Sequence, residues 1–148
     1  MNVMTTLEPA PAPVPDDGTA VSAYRIADKW KGAVNEGSGW VAIPMSLLRL
    51  QTKLELTATD MIVLANFLAH WWDPTRAVYP RSSTIAKRMG VTKRTVQRST
   101  EKMVRKGLMD PVKLDDGKRG FQFTSLANRL AKDIPLSFQI HGEESLDA

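Results

Sequence analysis

Gly90 stands between two stretches with helical spacing, and this arrangement restricts the chain more than any other feature. On its N-terminal side, Ser82-Ser83-Thr84-Ile85-Ala86-Lys87-Arg88-Met89 sets Ile85 and Met89 four residues apart. On its C-terminal side, Val91 leads to Thr92, whose hydroxyl can cap a helix, and then to a helical run from Lys93 to Lys106 that stops at Gly107. Two helices joined by so short a turn must cross steeply. The crossing needs a small residue where the helices meet, and Ala86 supplies it. It needs a turn residue that tolerates positive φ, and Gly90 supplies that. It also needs apolar plugs beneath both helices, here Ile85, Met89, Val91 and Val96.

Charge is concentrated on the same segment. The 148-residue chain has a formal net charge of +4. Between Arg81 and Arg119 there are twelve Lys and Arg and four Asp and Glu, a local net of +8. The first 28 residues carry a net −3, and residues 133–148 carry −4 without a Lys or Arg. A basic block between two acidic ends attracts polyanions, phosphate backbones among them.

The flanking segments outline the rest. Residues 1–38 read as a flexible, Pro/Ala-rich acidic tail and linker, with APAPVP near its centre. Within it, Tyr24, Ile26 and Trp30 could lie on a short helix that the later glycines interrupt. Trp40 to Ile43 is predicted to be a short strand closed by Pro44, and Met45 to Leu56 a helix with one apolar stripe. Thr57 and Asp60 have the spacing of a capping box. The helix that follows, from Met61 to Trp72, is predicted to be buried on nearly every face. Ala77 to Tyr79 is a short strand candidate, and Ser82 or Ser83 should cap the next helix. Leu108 to Leu114 and Phe121 to Phe123 read as strands of a hairpin turned by Asp115-Asp116-Gly117-Lys118. A last helix spans Ser125 to Lys132 with Leu126 and Leu130 inward, and residues 133–148 form an acidic tail. No internal repeat is visible.

SSTIAKRMGVTKRTVQRSTEKMVRKGLM resembles the winged helix-turn-helix of bacterial DNA-binding proteins, including transcriptional regulators and replication initiators. The upstream IPMSLLRLQTKLELTATDMIVLANFLAHWW is similar to the corresponding part of such proteins carried on plasmids and integrative elements. The resemblance covers about Trp40 to Lys132, and departs at Ser99 and Thr100, where a larger apolar residue is usual. It implies an α+β fold, a winged helix-turn-helix over residues 39–132 with an N-terminal helical extension and a short β-hairpin wing.

Side-chain chemistry leads to the same partner. In the helix from Lys93, the residues Val96, Thr100, Met103 and Val104 share one face by steps of three and four. That face should meet the core near Ile62, Leu68 and Ile85. The opposite face carries Arg94, Gln97, Arg98, Glu101 and Arg105. Arg can bond guanine O6 and N7 together, and Gln can do the same with adenine N6 and N7. Lys93, Arg94, Thr95, Gln97 and Arg98 are therefore expected to read bases. Arg81, Ser82, Ser83, Thr84, Lys87, Thr92, Lys102, Arg105, Lys118 and Arg119 are expected at phosphates.

Other chemistries lack their residues. The chain has no cysteine, so disulfides and thiolate sites are excluded. Its longest uncharged apolar stretch, Met61 to Trp72, has 12 positions, against about 20 for a membrane span. The N-terminus lacks the basic start and apolar core of a signal peptide. Gly37-Ser38-Gly39 is not a nucleophile elbow, and no phosphate loop ends in Lys-Ser or Lys-Thr. His70 reads as a core or half-buried residue, and His141 with Glu143 and Glu144 as a weak metal candidate at most. Phe67, Trp71, Trp72 and Trp40 could stack on bases but read as core or dimer surface. No enzyme activity, cofactor or metal is expected.

The expected partners are double-stranded DNA and a second copy of the chain, a homodimer joined through Met45 to Leu56 and Trp71-Trp72. A protein partner at the acidic tails is also open, and no membrane contact is expected. The expected function is sequence-specific duplex binding by a bacterial transcriptional regulator, cytoplasmic and nucleoid-associated. The alternatives are a replication or partition protein of a plasmid, phage or integrative element, and a winged-helix protein-interaction module that binds no DNA.

Overall fold

Thr57 begins the first long helix by the predicted capping box. Its hydroxyl accepts from the Asp60 backbone N–H at 3.1 Å, and the Asp60 carboxylate accepts from the Thr57 N–H at 2.9 Å. The computed structural model describes Ile26, residues 28–35 and residues 37–133. It divides into two units, one ending at Trp40 and one beginning at Val41. Most of the Pro/Ala-rich tail, nearly all of the acidic tail and His141 lie outside the described residues.

In the first unit, a 3-10 turn spans Lys31–Ala33. Asn35 then closes a side-chain turn, its Oδ1 accepting from the Gly37 and Ser38 N–H groups at 2.8 and 3.0 Å.

The second unit contains α1 (Met45–Arg49), α2 (Ala58–Leu68), α3 (Ser82–Met89), α4 (Lys93–Arg105), β1 (Asp110–Lys113), β2 (Arg119–Gln122) and α5 (Thr124–Lys132). Several local expectations change. Trp40 to Ile43 forms no strand, because no partner strand lies beside it among the described residues. The helix expected from Met45 to Leu56 ends as α1 at Arg49 and continues as hydrogen-bonded turns. Glu55 adopts a left-handed backbone (φ 57°), and the Leu56 N–H reaches back to the Gln51 carbonyl at 2.8 Å. This reversal lets Leu56 join Leu47, Leu50 and Leu54 in the core, which a straight helix would not. Lys106 secures the turn through an ion pair with Glu55.

α2 starts at Ala58 and ends at Leu68, short of Trp72. It buries Met61, Val63, Leu64 and Phe67, whereas Ile62 is 51% exposed and does not join the core. The expectation of burial on nearly every face is thus corrected: α3 and α4 pack on α2 and leave its Ile62 side open. α3 and α4 also pack on each other, with Ile85, Ala86 and Val96 buried in the contact. Gly90 caps α3 in the left-handed conformation (φ 68°), as the turn requires.

β1 and β2 pair antiparallel, Asp110 opposite Gln122 and Lys113 opposite Arg119. Val78 adds a third, one-residue bridge, exchanging both backbone hydrogen bonds with Phe121 at 2.8 Å. The strand expected at Ala77 to Tyr79 is therefore reduced to this bridge. Gly120 is tightly enclosed here, since a Cβ would come within 3.1 Å of Ala77 and Leu114 side chains. Phe67 meets Phe121 edge-on with centroids 5.4 Å apart, and Trp71 meets Phe123 at 5.5 Å. These aromatics fasten α2 and the loop after it to the wing. Asp110 then accepts the Ser125 N–H at 3.1 Å, capping α5 from the wing strand. α5 buries Leu126 and Leu130, as expected. The architecture is an α+β winged helix-turn-helix. No described helix is long and apolar enough to cross a membrane.

One polar group lies inside this packing. Asp60 is 4% exposed. Besides its cap, its Oδ1 accepts from the Ser99 hydroxyl at 2.5 Å and its Oδ2 from the Lys102 ammonium at 2.6 Å. Burial alone would raise its pKa. Lys102, Ser99 and Thr57 outweigh that effect and lower it from 3.8 to about 2. A carboxyl depressed by folding stabilises the fold above its unfolded pKa, and this contribution disappears as pH falls toward the folded pKa. Stability should therefore fall between about pH 4 and pH 2, by on the order of 2 kcal/mol from Asp60. Urea midpoints measured across that range should show this drop in the parent, and Asp60→Asn should flatten it. Parallel curves would overturn the assignment.

Candidate nucleic-acid interface

α4 divides into two faces along its length. Val96, Ser99, Thr100 and Met103 are buried. Lys93, Arg94, Gln97, Arg98, Glu101 and Arg105 are exposed. The departure at Ser99 and Thr100 has a polar explanation. Ser99 donates to Asp60, and Thr100 satisfies its hydroxyl on the Val96 carbonyl at 2.9 Å. Asp60 thereby ties the start of α2 to the middle of α4 and sets the rotation of α4 about its axis.

Of the five residues expected to read bases, four project from this exposed face: Lys93, Arg94, Gln97 and Arg98. None of them enters an ion pair among the described residues. Thr95 differs. It is half-buried, and its hydroxyl pairs with that of Thr92 at 2.9 Å. Thr92 caps α4 by accepting the Thr95 N–H at 3.2 Å. Both hydroxyls thus serve the helix start.

The residues expected at phosphates also separate. Arg81, Ser83, Thr84 and Lys87 are exposed around the start of α3, and Ser82 is half-buried. Neither Ser82 nor Ser83 caps the helix, because the helix begins one residue earlier than a serine cap would allow. The N-cap is Arg81, with no side-chain cap bond. No side chain therefore caps the start of α3, where the Thr84 N–H closes the turn on the Arg81 carbonyl at 3.0 Å. Arg105 lies further along the exposed face of α4.

Lys102 stands apart from these residues. Its ammonium turns inward to Asp60, because a buried carboxylate needs a counter-charge more than the surface needs another cation. Arg119 is also engaged. It pairs with Glu101 at 2.6 Å and lies 5.1 Å from the Phe121 ring centroid. This contact braces the wing against α4. Lys118 remains exposed at the wing tip, 3.8 Å from Asp116.

Two further expectations change around the loop after α2. His70 is exposed rather than core or half-buried. Trp72 is 81% exposed, while Trp71 is half-buried and donates its indole N–H to Gln122 at 3.1 Å. Sequence spacing gave no means of separating these adjacent tryptophans. The described residues contain no cluster of His, Asp or Glu suited to a metal.

Residues 54–109 match the family model of a helix-turn-helix domain. Among solved structures, the fold is similar to the N-terminal domain of DnaD protein from Geobacillus kaustophilus HTA426. The TM-score is 0.54 with 17% identity, over 81% of this chain and 96% of that one. A structure described as a possible transcriptional regulator from Methanosarcina mazei Go1 also matches. Its TM-score is 0.40 at 22% identity, over 67% of this chain and 83% of that one. No curated protein sequence matches the chain.

Proposed function

We propose that this winged helix-turn-helix domain binds double-stranded DNA sequence-specifically, with α4 in the major groove, and that the protein regulates transcription from the sites it occupies. The observation that carries the reading is the divided α4. Its outer face offers Lys93, Arg94, Gln97 and Arg98 toward solvent, while its inner face is packed and polar-locked. Residues in the first turns of such a helix reach base edges. The uncapped start of α3, with the exposed Arg81, Ser83, Thr84 and Lys87, would hold a phosphate and fix the register. The protein would work in the cytoplasm of a bacterium, at the nucleoid, without a cofactor and without catalytic chemistry.

Selection from a random duplex library by the purified protein, followed by affinity measurement at two salt concentrations, tests this reading. An enriched sequence whose affinity falls with salt is the expected result. Inverted half-sites about one helical turn apart would support a homodimer on an operator. Direct repeats would move the reading to a replication or partition protein. Salt-sensitive retention without enrichment would overturn specificity. No retention would leave a protein-interaction module.

A further inference from the structure

Beside the start of α3 lies an open cleft of about 720 Å³. Its lining combines exposed aromatic rings with clustered arginines. Trp72 and Tyr79 are exposed by 81% and 54%, so neither ring is needed for the core. Arg76, Arg81 and Arg88 surround them with His70, against the single carboxylate of Asp73. Asp73 accepts from the Thr75 N–H and hydroxyl at 2.9 and 2.6 Å and lies 3.8 Å from the exposed Arg76 guanidinium, and Arg88 donates to Asn66 at 3.2 Å, so both arginines stay at the surface beside the cleft. The cleft is thus aromatic and net cationic. Exposed aromatic rings offer stacking faces to any base, and arginines attract the phosphates between bases.

The position of the cleft selects its occupant. Arg81 and Thr84, two of the side chains offered to duplex phosphate, also line it. The phosphate-holding start of α3 is therefore continuous with an aromatic surface. We infer that the cleft binds unpaired nucleotides next to the duplex site, stacking bases on Trp72 and Tyr79 while Arg76 and Arg88 hold the backbone. Resting on the duplex-binding reading, this makes the protein a reader of a junction between paired and unpaired DNA.

The test uses the full chain and the duplex enriched by selection, in a blunt form and with a single-stranded thymidine tail of about eight nucleotides at either end. One tail should raise affinity about tenfold and quench tryptophan fluorescence. Trp72→Ala should abolish the gain while blunt-duplex affinity stays within about twofold, and Trp72→Phe should restore much of the gain, since a phenyl ring still stacks. Tyr79→Ala should reduce the gain. A tail that adds nothing, or a gain that survives Trp72→Ala with Tyr79→Ala, would overturn the inference and leave duplex binding intact. Equal competition by polyglutamate would reduce the cleft to a simple charge effect and overturn stacking. Saturation by free thymidine monophosphate with no preference for the tailed duplex would overturn the strand reading. Failure to bind blunt duplex strikes the proposed function instead, and tail binding lost in Trp72→Ala would still support the cleft.

Discussion

Asp60→Ala should be the most destabilising polar substitution in the domain, lowering the unfolding free energy by about 2–4 kcal/mol. Four losses coincide. The α2 capping box disappears, the Ser99 hydroxyl loses its acceptor, and Lys102 keeps a charge without its partner. The last loss is the cavity left at a position only 4% exposed. The Lys102 side chain is 30% exposed and can turn to water, so the cost falls mainly on the lost cap, the Ser99 hydroxyl and the cavity, and the Asp60–Lys102 contact is lost in either single variant. The double variant Asp60→Ala with Lys102→Met should therefore be less destabilised than the two single losses added together. Urea denaturation of the four proteins measures this cycle. A loss below about 1 kcal/mol for Asp60→Ala would mean that the hub contributes little and that the apolar contacts alone set the rotation of α4.

On DNA, Arg94→Ala and Arg98→Ala should each weaken the preferred duplex by about 1–3 kcal/mol and relax discrimination at one base position. Both guanidinia are exposed, so thermal stability should hardly move. Arg105→Ala should behave differently. It sits three turns along α4, beyond the first turns that reach base edges, so its loss should weaken all sequences alike and lessen the salt dependence. Lys102→Met offers the sharpest contrast. An inward lysine should alter stability far more than the salt dependence of binding, whereas a phosphate-contacting lysine would do the reverse. Titrations of matched and single-mismatch duplexes at two salt concentrations separate these outcomes. Uniform, sequence-independent losses for Arg94, Arg98 and Arg105 would overturn the division of the α4 face.

Local signals carried far in this chain. The Thr57–Asp60 capping box, Gly90 as a left-handed cap, Thr92 as an N-cap and the turn at Gly117 all depend on a few neighbouring residues. Such features were legible because their physics is contained within one helical turn or one β-turn. The apolar period of α4 likewise assigned Val96, Thr100 and Met103 inward and Arg94, Gln97 and Arg98 outward.

Features with long sequence separation were not legible. Ser99 and Lys102 meet Asp60 across 39 and 42 residues, so Ser99 looked like a defect and Lys102 like a surface cation. Arg119 joins Glu101 across the wing, and Trp71 parts from Trp72 by reaching Gln122, 51 residues away. The α1 segment had the period of a longer helix, yet Glu55 reversed the chain and Lys106 held the turn.

The sequence by itself determined the two crossed helices, their caps and the basic outer face of α4, because glycine conformation, hydroxyl capping and helical period act between near neighbours. Only the tertiary structure decided which cations stay at the surface and which turn inward. That choice depends on where a buried carboxylate such as Asp60 demands a counter-charge, and it is made when α2, α4 and the wing come together.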